Sequence, residues 1–170
     1  INAMPKSDSG YVSLSLSLVR QYQIAGDLKS AERLLSSIIV DTPDIAITDK
    51  ITSLRQLGII YFRQRLYEKS YTAFEKAMTE AIKSENKKLI ALGYNDLANV
   101  YHAYGDFDTA IKLLMKSYDI HTEVDNALGR ASTLNNIGSL YRDQSAYDEA
   151  IVALRRAYGI YANIDNNQRA

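Results

Sequence analysis

Three polar side chains interrupt an apolar pattern of helical spacing in the stretch YNDLANVYHAYGDFDTA, residues 94–110. They are Asn95, Asn99 and His102. Asparagine is a poor helix former because its short amide competes for nearby backbone groups. The same amide is both a donor and an acceptor, so it can hydrogen-bond the N–H and the C=O of another polypeptide. These side chains are therefore candidates for holding the backbone of a partner.

The histidines and carboxylates do not have the spacing of a catalytic or metal site. His102 and His121 are the only histidines, and neither stands at a metal-ligand spacing from further ligands. We expect both to be surface or groove residues. The chain has no cysteine, no glycine-rich phosphate loop and no nucleophile elbow. The sequence therefore predicts no catalytic residue, no metal, no cofactor and no enzymatic activity.

Composition and charge narrow the class of partner. The chain has 170 residues, of which 46% are apolar and 24% charged, as in a soluble, ordered protein with a real core. Lys+Arg and Asp+Glu both number 20, so no basic surplus points to nucleic acid or to an anionic membrane. No apolar run approaches the roughly 20 residues of a membrane span. Because the lack of cysteine suits a reducing compartment, we expect a cytoplasmic protein.

The two ends of the chain carry separate expectations. We interpret residues 1–10, INAMPKSDSG, as a disordered tail that begins with a cloning remnant, and residues 11–170 as a single folded domain. The last predicted helix is apolar, and no polar capping helix follows it. We expect either that the natural protein continues or that this open end pairs with another copy, giving a homo-oligomer through the C-terminal helix.

An internal repeat supplies the elements that position the polar residues. Segments that begin at residues 54, 94 and 134 align without a gap, and a fourth copy begins at residue 15, where the interval to the next copy is one residue shorter. Each copy has the pattern of two amphipathic helices joined by a tight turn. The predicted repeats cover approximately residues 12–43, 51–85, 90–125 and 130–166.

Small residues recur at matched positions of these helices. The first helix of the later repeats has one between its large apolar residue and its tyrosine: Gly58, Ala98, Gly138. Small side chains let two helices approach closely. Gly26-Asp27 and Gly105-Asp106 make the turn, since glycine adopts a positive φ and aspartate caps the next helix. The second and fourth repeats lack this pair, so we expect their turns to be less well capped.

This order of residues resembles the tetratricopeptide repeat, and Pro43 falls where that repeat often places its terminal proline. The period of about 40 residues, rather than 34, is similar to the long-helix variant of kinesin light chains and bacterial peptide-sensing regulators. The resemblance implies an all-α fold, a right-handed superhelical solenoid of four helix-turn-helix repeats with eight antiparallel helices. An ordinary antiparallel bundle is the alternative, but it requires no fixed recurrence of small residues.

The resemblance also implies a binding wall, made by the first helix of each repeat, on which asparagines hold bound peptides. The matching positions are Arg55, Gln56, Asn95, Asn99, His102, Asn135, Asn136, Ser139 and Arg142. Arg55 and Arg142 can each anchor a carboxylate by a bidentate pair. No lysine stands in these positions, which argues against the carboxylate-clamp type of groove that binds chaperone tails. For any single asparagine, an ordinary solvated surface position is the alternative.

The leading functional prediction is a protein–protein interaction module that binds an extended peptide or partner segment in a concave groove, within a larger signalling or regulatory protein. Each neutral amide contact contributes about 1 kcal/mol, so micromolar affinity is expected. The alternative is a self-associating structural scaffold that uses its terminal helices and outer faces. A sensor segment of a multidomain signalling protein is a third hypothesis, which the sequence does not separate from the first.

Overall fold

Eight α-helices make up the part of the chain that the computed structural model describes, residues 9–42 and 44–168. They are α1 (Ser9–Ala25), α2 (Leu28–Asp41), α3 (Ile47–Arg63), α4 (Tyr67–Lys83), α5 (Lys87–Ala103), α6 (Phe107–Glu123), α7 (Ala127–Asp143) and α8 (Tyr147–Gln168). No strand occurs among these residues. The prediction of an all-α fold with four helix-turn-helix repeats is confirmed.

The observed helices begin a few residues before the predicted repeats. Helices α5 and α7 begin at Lys87 and Ala127, three residues ahead of the expected starts at 90 and 130. The reason is a capping asparagine that the repeat pattern did not include. The side-chain oxygen of Asn86 accepts from the Leu89 N–H, and Asn126 caps α7 in the same way, which satisfies an otherwise unpaired helix donor.

Two predicted features fall partly or wholly outside the described residues. Helix α1 begins at Ser9, two residues before the domain start that the sequence predicted. The remainder of the expected tail, residues 1–8, lies outside the described part of the chain, and so does Pro43.

The chain divides between Ser84 and Glu85 into two compact units. The first unit contains α1 to α4, and consecutive helices pack on one another: α1 on α2, α2 on α3 and α3 on α4. The second unit contains α5 to α8 with the same succession of contacts. Each unit is therefore two helix pairs stacked side by side.

The turns inside the helix pairs follow the sequence prediction. Gly26 and Gly105 have φ of +77° and +79°, a conformation that costs glycine little. The next residue, Asp27 or Asp106, accepts a hydrogen bond from a backbone N–H of the following helix at 3.1 Å. Ser30, in the first turn of α2, donates to the Asp27 carboxylate, and the first turn of α6 donates to that of Asp106. These hydrogen bonds hold the pKa of both carboxyl groups below the usual value.

The second and fourth repeats make the same turn without glycine. Arg65 and Ser145 have φ of +60° and +61°, which is uncommon for residues with a Cβ. At the start of α4, Leu66 makes no side-chain capping bond. The prediction of a less well capped turn is confirmed for the second repeat.

Small residues do allow the close approach of helices within each repeat. A Cβ added at Gly58 would meet the Phe74 ring at 2.5 Å, and one added at Gly138 would meet Leu154 at 2.7 Å. The predicted packing role of these glycines is confirmed. The core of the first unit contains Tyr11, Val12, Val19, Ala31, Leu35, Ile38 and Ile60, and that of the second contains Ala98, Ala110, Leu114, Ile137, Leu140 and Ala153.

Candidate functional site

The predicted binding residues lie on the first helix of three repeats. Those on α3, in the first unit, are Arg55 and Gln56; those in the second unit are Asn95, Asn99 and His102 on α5 and Asn135, Asn136, Ser139 and Arg142 on α7. The side-chain oxygen of Gln56 accepts a hydrogen bond from Gln23 at 3.0 Å. The structure brings the α5 and α7 residues together through direct polar contacts.

The prediction that Asn95 offers a free amide to a peptide is wrong. Its exposed fraction is 9%, and its Nδ2 shares two hydrogens among three acceptors, the Ala91 carbonyl oxygen at 3.3 Å, Thr133 Oγ1 at 3.2 Å and Ser117 Oγ. Its Oδ1 accepts from Asn136 Nδ2 at 3.2 Å. An amide has two donors and one acceptor oxygen, so the hydrogen-bonding capacity of Asn95 is used inside the protein.

Ser117 and Thr133 complete this buried polar network, and sequence reasoning assigned neither to it. Ser117 donates to the Ala91 carbonyl oxygen at 2.9 Å, and Thr133 donates to that of Gly129 at 3.0 Å. Both side chains are fully buried. One signal was available, because alanine occupies the position of Ser117 in the second and fourth repeats. A hydroxyl there requires a buried partner.

Other predicted residues remain accessible. Asn99 on α5 and Asn135 on α7 are exposed, and Ser139 is half-buried. Asn135 occupies in the fourth repeat the position that Asn95 occupies in the third. The α7 helix covers Asn95 through Thr133 and Asn136, whereas the equivalent amide of Asn135 is left to solvent.

Asp143 on α7 contacts two of the predicted binding residues, His102 and Arg142. His102 Nε2 lies 3.0 Å from its Oδ2, and Arg142 donates to its Oδ1 at 3.0 Å. The Arg142 guanidinium, with a smaller contribution from His102, holds the pKa of the Asp143 carboxyl below its usual value. Asp143 was not among the predicted residues, and its carboxylate partly neutralises Arg142, which was expected to anchor a ligand.

Two polar links therefore tie α5 to α7, one at Asn95–Asn136 and the other at His102–Asp143. The two α5 residues are seven apart, which is about 10 Å along a helix. Asn99 lies between them and has no part in either link. These links fix the register of α5 against α7. A short polar strip, with Asn99 on α5 and Asn135 on α7, stays exposed to solvent.

The expectation that the second histidine, His121, is a surface or groove residue is wrong. His121 on α6 is 1% exposed, and its Nδ1 lies 3.2 Å from the Asn126 amide nitrogen. A Cβ added at Gly129 would meet its ring at 2.5 Å, so a glycine on α7 makes room for it. Burial lowers the pKa of His121 because a dry site disfavours the charged imidazolium.

Each unit also has an outer groove between its two second helices. It is formed by α2, α3 and α4 in the first unit and by α6, α7 and α8 in the second. In the first unit it measures about 640 Å³, and it is bordered by Ser36, Thr72, Lys69 and Lys76. In the second unit it measures about 520 Å³, and the same positions carry Met115, Val152, Glu149 and Arg156. The two outer grooves therefore differ at equivalent positions, where Ser36 and Thr72 of the first correspond to Met115 and Val152 of the second.

Two further features bear on function. Among the described residues, no three His, Asp or Glu side chains are grouped so that they could hold a metal ion. Within the same residues, no helix combines the length and apolar character that crossing a membrane requires.

Comparison with solved structures shows the fold. BtubC (BKLC) from P. vanneervenii matches with a TM-score of 0.78 at 22% identity, over 91% of this chain and 63% of that one. A putative kinesin light chain with nearly identical TPR-like repeats from Podosopora anserina gives 0.74 at 17% identity, over 99% and 82%. The apo form of RapI gives 0.79 at 13% identity, over 91% and 57%. This chain thus spans less than two thirds of BtubC and of RapI.

Comparison with curated protein sequences gives no match. A family model described as tetratricopeptide repeat, in contrast, matches twice, over residues 49–123 and 89–163. The two matches overlap and together extend over more than half of the chain. They confirm the resemblance drawn from the 40-residue pattern, and the chain belongs to the tetratricopeptide repeat family.

Proposed function

We propose that the second unit binds an extended segment of a protein partner along α5 and α7. Proteins of this repeat family are generally non-catalytic interaction modules. The observation that carries the proposal is the exposed amide of Asn99, placed between two polar links that fix α5 against α7. Asn135 extends the exposed amides onto α7. A fixed pair of helices presents these groups without an ordering cost at the moment of binding.

The dimensions of the strip suit a short stretch of extended chain. The distance of about 10 Å between the two links equals about three residues of a β-strand, at 3.3 Å each. One asparagine amide can donate to a backbone C=O and accept from a backbone N–H. Recognition of this kind reads the backbone of the partner rather than its side chains, as in other modes of extended-peptide recognition.

The amides should contribute more to affinity than the charged groups. Arg142 has a side chain that is 62% exposed, but it already pairs with Asp143, so a partner carboxylate must compete for it. Exposed ion pairs contribute little in water. Neutral amide contacts contribute about 1 kcal/mol each, so loss of two of them should raise Kd about 30-fold.

A test uses peptides of about ten residues selected from a random display library on the whole chain. We expect the double variant Asn99→Ala/Asn135→Ala to raise their Kd about 30-fold, the equivalent of two amide contacts. Asn163→Ala, which removes an exposed amide from α8, is the matched control and should leave Kd unchanged. Binding that is equally tight to the double variant and to the wild type would show that this strip is not the binding site.

A further inference from the structure

Helix α8 carries an apolar stripe that is open to solvent. Its four members follow one another at intervals of four, three and four residues, so they share one side of the helix. They are Tyr147, Ile151, Leu154 and Tyr158, with exposed fractions of 62%, 47%, 38% and 75%. At 22 residues, α8 is also five residues longer than α4 and α6. A large, contiguous exposed apolar surface marks an interaction site.

In α2 and α6, the position equivalent to Leu154 of this stripe is covered by a neighbouring helix. In α6, Leu114 holds the position of Leu154 and is fully buried with Ile137 and Leu140 of α7. In α2, Leu35 holds that position and is fully buried with Ile60 of α3. This side of a second helix is therefore the one on which the fold packs another helix.

We propose that α8 packs antiparallel against α8 of a second copy, about a two-fold axis near residues 152 and 153. A two-fold interface must be self-complementary, and this stripe is. The arrangement places Tyr147 opposite Tyr158 of the other copy and Ile151 opposite Leu154 of the other copy. Four layers of large apolar side chains result, each of matched kind, as in the seam of a coiled coil.

The charges that flank the stripe choose the direction of packing. Asp148 and Arg155 are exposed and lie seven residues apart, on the same edge of the stripe. In parallel packing this edge would face the other edge of the second helix, where Ala150 and Ala157 stand, so neither charge would have a charged partner. Antiparallel packing brings Asp148 beside Arg155 of the second copy twice, and complementary charge sets register and orientation.

The first test measures the oligomeric state of the whole chain by sedimentation over a concentration series. We expect a monomer–dimer equilibrium and, for Tyr158→Glu, a Kd raised about 30-fold, as for loss of an interface hot spot. Val152→Glu is the matched control, because Val152 is 52% exposed on α8 but lines the outer groove instead. It should leave the dimer intact. A wild-type chain that stays monomeric at about 1 mM would overturn the proposal.

The second test separates antiparallel from parallel packing. Asp148→Arg and Arg155→Asp should each weaken the dimer, whereas the two changes in one chain should restore it, because the pairs are then reversed. The chain has no cysteine, so single cysteines report proximity. A mixture of Ile151→Cys and Leu154→Cys chains should form the disulfide-linked heterodimer faster than either chain links to itself. Faster linkage of like with like, or no rescue by charge reversal, would contradict the antiparallel register.

The peptide-binding proposal is independent of this one. Asn99→Ala and Asn135→Ala lie on α5 and α7 and should not change the sedimentation behaviour. Tyr158→Glu should likewise leave peptide binding by the monomer unchanged. Loss of dimerisation and loss of peptide binding are thus distinguishable.

Discussion

The seam between the first helices is filled differently in the two units. In the first unit it contains Val12, Leu16 and Ile38, which belong to or pack against the apolar core. In the second unit the equivalent residues are Ala91, Asn95 and Ser117. The same backbone arrangement thus has a hydrocarbon interior in one unit and a hydrogen-bonded interior in the other.

One position shows what this difference costs. Ser53 and Thr133 are equivalent and both are fully buried. Thr133 lies within reach of Asn95 and donates to a backbone carbonyl, whereas the Ser53 hydroxyl has no hydrogen-bond partner within the described chain. A buried hydroxyl without a partner costs about 1–3 kcal/mol. A polar group in this seam is therefore stable at little cost only where its neighbours can also hydrogen-bond.

The largest expected effect comes from breaking the network in the second unit. We expect Asn95→Ala to lower the free energy of unfolding by about 2–3 kcal/mol, because it leaves a void and removes partners from Thr133 and Asn136. Asn135→Ala, the equivalent exposed change in the fourth repeat, should stay within about 0.5 kcal/mol. Urea denaturation measures both.

A third variant sharpens this prediction. Asn95→Leu/Ser117→Ala replaces the polar pair by residues that other repeats carry at these positions, Leu16 and Ala77. It should be less destabilising than Asn95→Ala, because removal of both partners leaves fewer unpaired groups. Equal losses for the two variants would show that the cavity, not the hydrogen bonding, dominates.

The next effect concerns Gly58 and Gly138, which are equivalent in the two units. An added Cβ meets Phe74 in the first unit and Leu154 in the second. Phe74 is 3% exposed and Leu154 is 38% exposed in the single chain, so in the monomer only the leucine has room to move. We expect Gly58→Ala to cost about 1–3 kcal/mol by overpacking. For Gly138→Ala, the helix propensity of alanine should offset about 1 kcal/mol of the strain. Thermal denaturation that ranks the two variants in the reverse order would contradict this.

The smallest effect is a pH dependence near pH 6.5 that comes from a buried histidine of the second unit. Thr42 occupies in the first unit the position of His121, and burial lowers the pKa of His121 in the folded protein. The unfolded chain binds a proton at about pH 6.5 while the folded chain resists it. The free energy of unfolding is therefore fully retained above about pH 6.5 and falls as the pH decreases below it.

His121→Thr should remove that contribution. Its midpoint of denaturation should fall less than that of the wild type between about pH 7.5 and about pH 5.5. Parallel pH profiles for the wild type and the variant would show that other groups cause the acid sensitivity.

The elements of the fold were predictable because they are local. The 40-residue recurrence and the glycine-aspartate turns gave the helix pairs, and the small residues gave their close approach. The orientation of Asn95 was not predictable in the same way. It depends on Ser117 and Thr133, which belong to another helix and another repeat, and an asparagine on a helix surface has the same sequence pattern whether it meets solvent or a neighbour.

The charged part of the site shows the same limit. His102 and Arg142 were recognisable as candidates, but Asp143, which contacts both, was hidden in the ordinary pattern of carboxylates along helix surfaces. The burial of His121 had a weak signal in the sequence, since alanine or threonine occupies its position in two other repeats. Small residues at matched positions indicate an interior site.

The Asn95 network is divided between two repeats, and this restricts how the gene can change by duplication. The third repeat supplies Asn95 and Ser117, and the fourth supplies Thr133 and Asn136. If either repeat were copied next to a repeat with an apolar seam, its polar side chains would be buried without their hydrogen-bond partners. The two repeats are therefore expected to be inherited and transplanted as a pair, whereas single repeats with apolar seams can be exchanged more freely.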